Sequence, residues 1–178
     1  HANKGDYDKA LDYYGRSLVI DEEIGNKAGM GATLTNIGNV YRNRGEYDKA
    51  LEYYDRSLKI QEEIGNKAGM GASLGNIGAV HYYKGEYDKT LEYFDKSLKI
   101  KEEIGDKAGM GHSLNNIGIV HVNKGEYNRA AENLEKSLAI RKEIGLKELE
   151  TTTYLYLCYR YLGKDYDEQD IHSLIKDA

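Results

Sequence analysis

The chain contains no proline and no tryptophan, one phenylalanine and one cysteine. A single thiol, Cys158, can close no internal disulfide and build no cysteine-based metal site. Basic blocks are missing as well: the net charge is −5 and the isoelectric point is near 5.6. Affinity for nucleic acid rests on Lys and Arg neutralising phosphates, so this composition predicts no nucleic-acid partner. No apolar run approaches the roughly 18–20 residues that cross a bilayer, which predicts no membrane partner. Apolar residues make up 40% of the chain, too many for simple disorder. What the chain has in excess is glycine, 20 of 178 residues, and tyrosine, 17.

Repetition explains the glycine. Residues 45–84 and 85–124 are identical at 30 of 40 positions, and 5–44 matches 45–84 at 28 of 40. Self-similarity at a fixed period of this size is the signature of a solenoid or array. Units begin near residues 5, 45, 85 and 125, and the last diverges after Gly145. Each unit reads as two helices. Leu34, Ile37, Gly38 and Tyr41 lie at i, i+3, i+4 and i+7; Tyr47, Ala50, Leu51, Tyr54 and Leu58 form a second helical stripe. Period-2 alternation is absent, which predicts an all-α chain. Gly5, Gly45, Gly85 and Gly125 are expected to end first helices, and Gly25, Gly65, Gly105 and Gly145 to end second helices. Asn26, Asn66 and Asp106 then stand as N-caps, while Leu146 breaks that register. Gly38, Gly78 and Gly118 are expected to permit close helix packing; Gly29/31, Gly69/71 and Gly109/111 have no evident purpose.

Leu34, Ile37-Gly38, Tyr41, Ala50 and Tyr54, with their counterparts 40 and 80 residues on, resemble the tetratricopeptide repeat (TPR). Two departures stand out. The unit is about six residues longer than the usual ~34, and Glu62 or Glu102 replaces the usual proline. Both predict a longer second helix. This long form looks most like the repeats of Pins/LGN-type adaptors, with kinesin light chains and prokaryotic TPR proteins more distant. The resemblance implies a right-handed TPR-like α-solenoid of antiparallel helix pairs over 1–145. It also implies a degenerate capping pair over 146–178, with helices at 148–162 and about 166–176. His1–Lys4 aligns with the last turn of a first helix, so the first unit is expected to be truncated. Helix 7–24 then lacks a partner, and Tyr7, Leu11, Tyr14 and Leu18 are expected to be exposed or covered by another chain, a route to self-association.

Differences between units locate a candidate surface. Five of the ten substitutions between 45–84 and 85–124 change chemistry: Ala72/His112, Gly75/Asn115, Ala79/Ile119, Tyr82/Val122 and Tyr83/Asn123. Their spacing forms one stripe on the first helix, opposite its packing face. The first unit varies there too, with Thr35, Asn39, Arg42 and Asn43. Neutral drift is the competing account, and it predicts equal change on the second helix. There Glu52/Glu92, Asp55/Asp95 and Glu63/Glu103 stay fixed, although Gly15, Val19 and Asp21 depart in the first unit. Asn36, Asn76 and Asn116 recur at one register of the stripe. A carboxamide both donates and accepts, so these residues either hold peptide groups of an extended ligand or bond the neighbouring helix. In TPR arrays such a stripe lines the concave groove. The resemblance therefore implies a peptide or protein partner along Thr35, Asn36, Asn39, Arg42 and Asn43, then Asn76, Ala79, Tyr82 and Tyr83, then His112, Asn115, Asn116, Ile119, Val122 and Asn123, and finally Leu155, Tyr156 and Tyr159. Thr35, Gly75 and Asn115 stand where chaperone-type clamps carry a lysine, which disfavours a chaperone-tail ligand.

The residues predict no enzyme, cofactor or metal. His81 and His121 fall in the packing register of Tyr41. Cys158 takes the place of the packing glycine, and no paired base is identifiable for it. The GMG blocks fail the G-x-G-x-x-G spacing and follow no strand. The expectation is an interaction scaffold, with a regulatory arm of a larger protein or a self-assembling array as rivals.

Overall fold

The 40-residue period becomes a succession of helices of nearly equal length. The structure is a computed structural model, and it describes residues 4–146 and 149–164. Among the described residues there are eight helices and no strand: α1 (Lys4–Glu23), α2 (Lys27–Asn43), α3 (Tyr47–Glu63), α4 (Lys67–Tyr83), α5 (Tyr87–Glu103), α6 (Lys107–Asn123), α7 (Tyr127–Glu143) and α8 (Leu149–Leu162). The chain is all-α, built of TPR-like antiparallel helix pairs.

Local chemistry sets the boundaries. The side chains of Asn26, Asn66 and Asp106 accept hydrogen bonds from the amides of Gly29, Gly69 and Gly109, at 3.1, 3.1 and 2.8 Å. Each satisfies a donor that the first helical turn leaves open. At the other end, Gly45 takes φ 76°, a left-handed value that costs glycine nothing. Its amide donates to Arg42 O, and the amide of Glu46 donates to Tyr41 O, which closes the end of α2. Gly25, Gly65, Gly85, Gly105, Gly125 and Gly145 repeat the device. Gly5 does not, contrary to expectation. It lies inside the first turn of α1, where the helix runs through it from Lys4 and no reversal requires a left-handed residue. The second helices run unbroken to Glu63, Glu103 and Glu143, past the register where TPR units carry proline.

Two compact units divide the chain, residues 1–100 and 101–178, with the division inside α5. In the first, α1 packs on α2, α2 on α3 and α3 on α4. Ala50, Tyr54, Ile77 and Val80 form its central cluster. In the second, α6 packs on α7 and α7 on α8, around Ala130, Ala131, Leu134, Leu155 and Cys158. Each fully buried leucine, isoleucine or valine among them contributes about 1.5–3 kcal/mol. Residues 147–148, which follow the break in cap register at Leu146, and the expected second capping helix at 166–176 lie outside the described residues.

Candidate functional site

In the first unit the stripe is carried by α2 and α4. Asn36, Asn43 and Tyr83 are exposed, while Thr35, Asn39, Arg42, Asn76, Ala79 and Tyr82 are half-buried. Two of these face inward. The Thr35 hydroxyl donates to Gly31 O at 3.0 Å and lies 2.9 Å from the Ser57 hydroxyl. Asn39 accepts from the Tyr54 hydroxyl at 2.7 Å. Burial pushes the Tyr54 pKa up to about 12, which keeps that donor protonated. The others form a surface. Arg42 Nη1 donates to Asn76 Oδ1 at 3.5 Å and so joins α2 to α4. Asn76 is thus bonded to the neighbouring first helix, one of the two roles its register allows. Tyr83 is 58% exposed, yet its ring stacks on Tyr47 at 6.0 Å and meets Tyr82 edge-on at 5.9 Å.

In the second unit, taken by itself, the expected stripe residues lie on α6 and α8. His112, Asn116 and Asn123 are exposed; Ile119, Tyr156 and Tyr159 are half-buried. Asn115, expected on the open surface, is 2% exposed. Its Oδ1 accepts from the Thr151 hydroxyl at 2.8 Å, and its Nδ2 donates to Glu150 at 3.3 Å. A buried carboxamide needs such partners, and α8 supplies them. Leu155, also expected on the stripe, belongs to the core, and Val122 packs against that core. The Tyr159 hydroxyl donates to Glu135 at 2.6 Å, and its pKa is pushed up to about 12 by burial and that carboxylate. His112 Nδ1 lies 3.1 Å from Arg141 Nη2. Although His112 is exposed overall, the edge of its ring against the buried Arg141 is shielded from water; that desolvation, then the positive charges of Arg141 and Lys101, hold its pKa below the usual imidazole range.

The packing residues fall as their register predicts. His81 and His121 are buried, with Nδ1 at 2.7 and 2.8 Å from Glu86 and Glu126. His81 stacks on Tyr93 at 5.3 Å. Cys158 is fully buried, and burial pushes its thiol pKa up, away from the reactive thiolate. Among the described residues no group of three His, Cys, Asp or Glu is placed to hold a metal ion, and no helix is long and apolar enough to cross a membrane.

Two further registers were not evident from the sequence. Ser57, Ser97 and Ser137 are fully buried and donate to the carbonyls of Gly31, Gly71 and Gly111 at 2.8, 2.7 and 2.8 Å. This accounts for one glycine of each GMG block. A Cβ at Gly31 would collide with the Gln61 amide, and one at Gly38 would stand 2.6 Å from the Tyr54 ring. The second register is Asp21, Gln61, Lys101 and Arg141, polar residues drawn into the helix seam. Asp21 accepts from Asn26 at 2.7 Å, Gln61 from Asn66 at 2.8 Å, and Lys101 donates to Ser113 at 2.9 Å. Burial pushes the Lys101 pKa down. Invariance of the serine among otherwise varying units was the signal available for the first register. The second carried none, since charge at a helix end usually marks solvent.

The tetratricopeptide-repeat family model matches residues 1–63 and 69–143. No curated protein matches the chain in sequence. Solved structures do match in fold. BtubC from P. vanneervenii is 21% identical with a TM-score of 0.83, over 98% of this chain and 72% of that one. A putative kinesin light chain from Podosopora anserina with nearly identical TPR-like repeats is 16% identical with a TM-score of 0.70, over 97% and 85%. The apo form of RapI is 20% identical with a TM-score of 0.81, over 97% of this chain and 47% of that one. At these identities the likeness concerns the fold alone, and it agrees with the repeat model: the chain belongs to the tetratricopeptide-repeat family.

Proposed function

We propose that the chain is a protein-interaction module that binds an extended or partly helical peptide segment on the first-helix stripe, without chemistry of its own. TPR folds commonly mediate protein–protein interaction, which supports the general class. The finer assignment rests on one observation: Tyr83 is 58% exposed while its ring is held by Tyr47 and Tyr82. An immobilised aromatic offers a large contact area at little entropic cost, the character of an interface anchor. It lies two turns along α4 from Asn76, which Arg42 holds in place. Carboxamide and guanidinium donors beside an aromatic suit a backbone-rich, tyrosine- or carboxylate-bearing segment.

A phage-displayed random peptide library, panned on the full chain, tests this. Selected peptides should weaken by about tenfold or more on Tyr83→Ala and on Asn76→Ala, the scale of an interface anchor. They should be indifferent to Lys59→Ala, on the exposed side of α3. Peptides sensitive to Lys59→Ala and indifferent to the other two would place the binding face elsewhere. A second reading is a sensor arm of a larger protein. A Rap protein, 17% identical with a TM-score of 0.77, has been solved in complex with competence and sporulation factor, and this chain covers 46% of it. A regulatory role would use the same stripe to register the ligand.

A further inference from the structure

The side chains of this protein that can lose a single electron are nearly all phenols. It has 17 tyrosines, no tryptophan and one cysteine, and Cys158 is fully buried with its thiol pKa raised. The three methionines, Met30, Met70 and Met110, are half-buried and oxidise by taking up an oxygen atom. A one-electron oxidant therefore leaves its radical on tyrosine. What the radical then does depends on which rings stand together.

Among the described residues three tyrosine pairs stack: Tyr41 on Tyr53 at 5.3 Å, Tyr47 on Tyr83 at 6.0 Å and Tyr127 on Tyr161 at 4.3 Å. Tyr47 and Tyr127 share a register. Each opens a second helix, and antiparallel packing lays the last turn of the following helix against it. The Tyr127–Tyr161 pair is the tightest of the three, and its rings lie within 4° of parallel. Tyr127 is half-buried against the core of the second unit, while Tyr161 is 62% exposed. Partial burial, then the Tyr161 hydroxyl, raises the Tyr127 pKa. The two hydroxyls are thus neighbours at one end of the stack, and the ring carbons beside them face each other. The other pairs are less well placed. The Lys49 ammonium stands 5.1 Å from the centre of the Tyr41 ring, and the Arg56 guanidinium 5.4 Å from that of Tyr53. A positive charge over a ring opposes the loss of an electron from it. Tyr47 and Tyr83, at 6.0 Å, overlap less.

We propose that Tyr127 and Tyr161 are a site of oxidative modification, joined as dityrosine by a peroxide-driven one-electron oxidant of the haem-peroxidase class. Tyr161 is the ring that the oxidant reaches. Its radical can take an electron from Tyr127 across the stack, so the same exposed ring is oxidised twice. Each phenol gives up one electron and its hydroxyl proton. The two phenoxyl radicals pair their electrons in a new bond between one Cε of each ring. Each of those carbons releases its hydrogen as a proton, and each oxygen takes a proton back, which restores both phenols. One peroxide accepts the two electrons and two protons and leaves as two waters. The bond ties the start of α7 to the end of α8 and shortens the loops open to the unfolded chain. It makes no use of the peptide-binding reading, whose Tyr83 lies in the first unit.

The test treats the full chain, at low concentration, with a haem peroxidase and hydrogen peroxide, and digests the product with trypsin. Cleavage releases Tyr127 in GEYNR (125–129) and Tyr161 in YLGK (161–164), each with one tyrosine and no methionine. Mass spectrometry of the monomeric product should find these two peptides joined, with the loss of two hydrogens, as the main cross-link. Dityrosine fluorescence should rise with it. Tyr127→Phe and Tyr161→Phe keep the ring and lose the phenol, and each should abolish that product. Tyr13→Phe, at a ring 69% exposed on α1, should leave its yield unchanged. The joined protein should need more urea to unfold than Tyr161→Phe protein treated alike. Cross-links formed chiefly between chains, chiefly at other tyrosine pairs, or at full yield without either hydroxyl overturn the proposal. So does the absence of dityrosine, or a urea midpoint that the bond does not raise.

Discussion

At His112 the neighbouring guanidinium decides which proton the imidazole carries. Arg141 is 7% exposed and offers only donors, so the Nδ1 that lies 3.1 Å from it must accept and the ring is neutral. Protonation would set an imidazolium against a buried cation. Desolvation of the ring edge that faces Arg141 is the largest cause of the lowered pKa, Arg141 and Lys101 add to it, and Glu150 and Asp106 oppose it. The sign of the linkage follows. A histidine whose folded pKa lies below its unfolded value of about 6.5 contributes stability that is fully present above that value. That stability is lost as pH falls toward the folded pKa, because the unfolded chain takes the proton first. The urea midpoint should therefore decline between about pH 7.5 and about pH 5.5, and less so in His112→Ala. Equal slopes for the two proteins would show that His112 and Arg141 do not interact in solution.

Helix length carries the departure from the usual TPR unit. Glu62 is exposed in the last turn of α3, so its side chain adds little, but its backbone belongs to the helix. Restoring the family's proline by Glu62→Pro removes an intrahelical donor and drives the ring against the preceding turn, at a cost of roughly 3 kcal/mol. Urea denaturation measures this, and an unchanged midpoint would mean that α3 ends a turn earlier. Elements of this kind were legible in the sequence because every start and stop is written three or four times: the caps at Asn26, Asn66 and Asp106, and the left-handed glycines after α2, α4 and α6. Contacts between elements were less so. What a side chain at Gly31 would meet is Gln61, thirty residues away on another helix. Asn115 is buried by Thr151 and Glu150, which belong to the helix where the repeat degenerates, so no internal copy foretold it. On α1 the periodicity marked Tyr7, Leu11, Tyr14 and Leu18 as one apolar face, but the expectation that it lacks a partner within the chain fails: all four are half-buried and α1 packs on α2.

For the molecule as a whole, the division into two units with separate cores sets how damage spreads. Stability in a repeat protein is close to a sum of repeat terms and nearest-neighbour terms. Leu134 is fully buried over Gly118, a position with no side chain of its own to swing into a void. Leu134→Ala therefore leaves a cavity that collapses poorly, at about 2–5 kcal/mol. Under native conditions that loss should appear as faster amide hydrogen exchange in α6 and α7, while protection in α2 and α3 stays near its original level. If the loss instead speeds exchange equally in all four helices, the chain opens as one cooperative body and the additive description fails. The local outcome has a functional corollary for the two readings of the binding stripe. A stripe borne by α2 and α4 would keep its peptide affinity in the Leu134→Ala protein, since Arg42, Asn76 and Tyr83 draw their support from Tyr47, Tyr82 and one another within the first unit. Retained affinity alongside lost protection in α6 and α7 would separate the part of the array that binds from the part that stabilises.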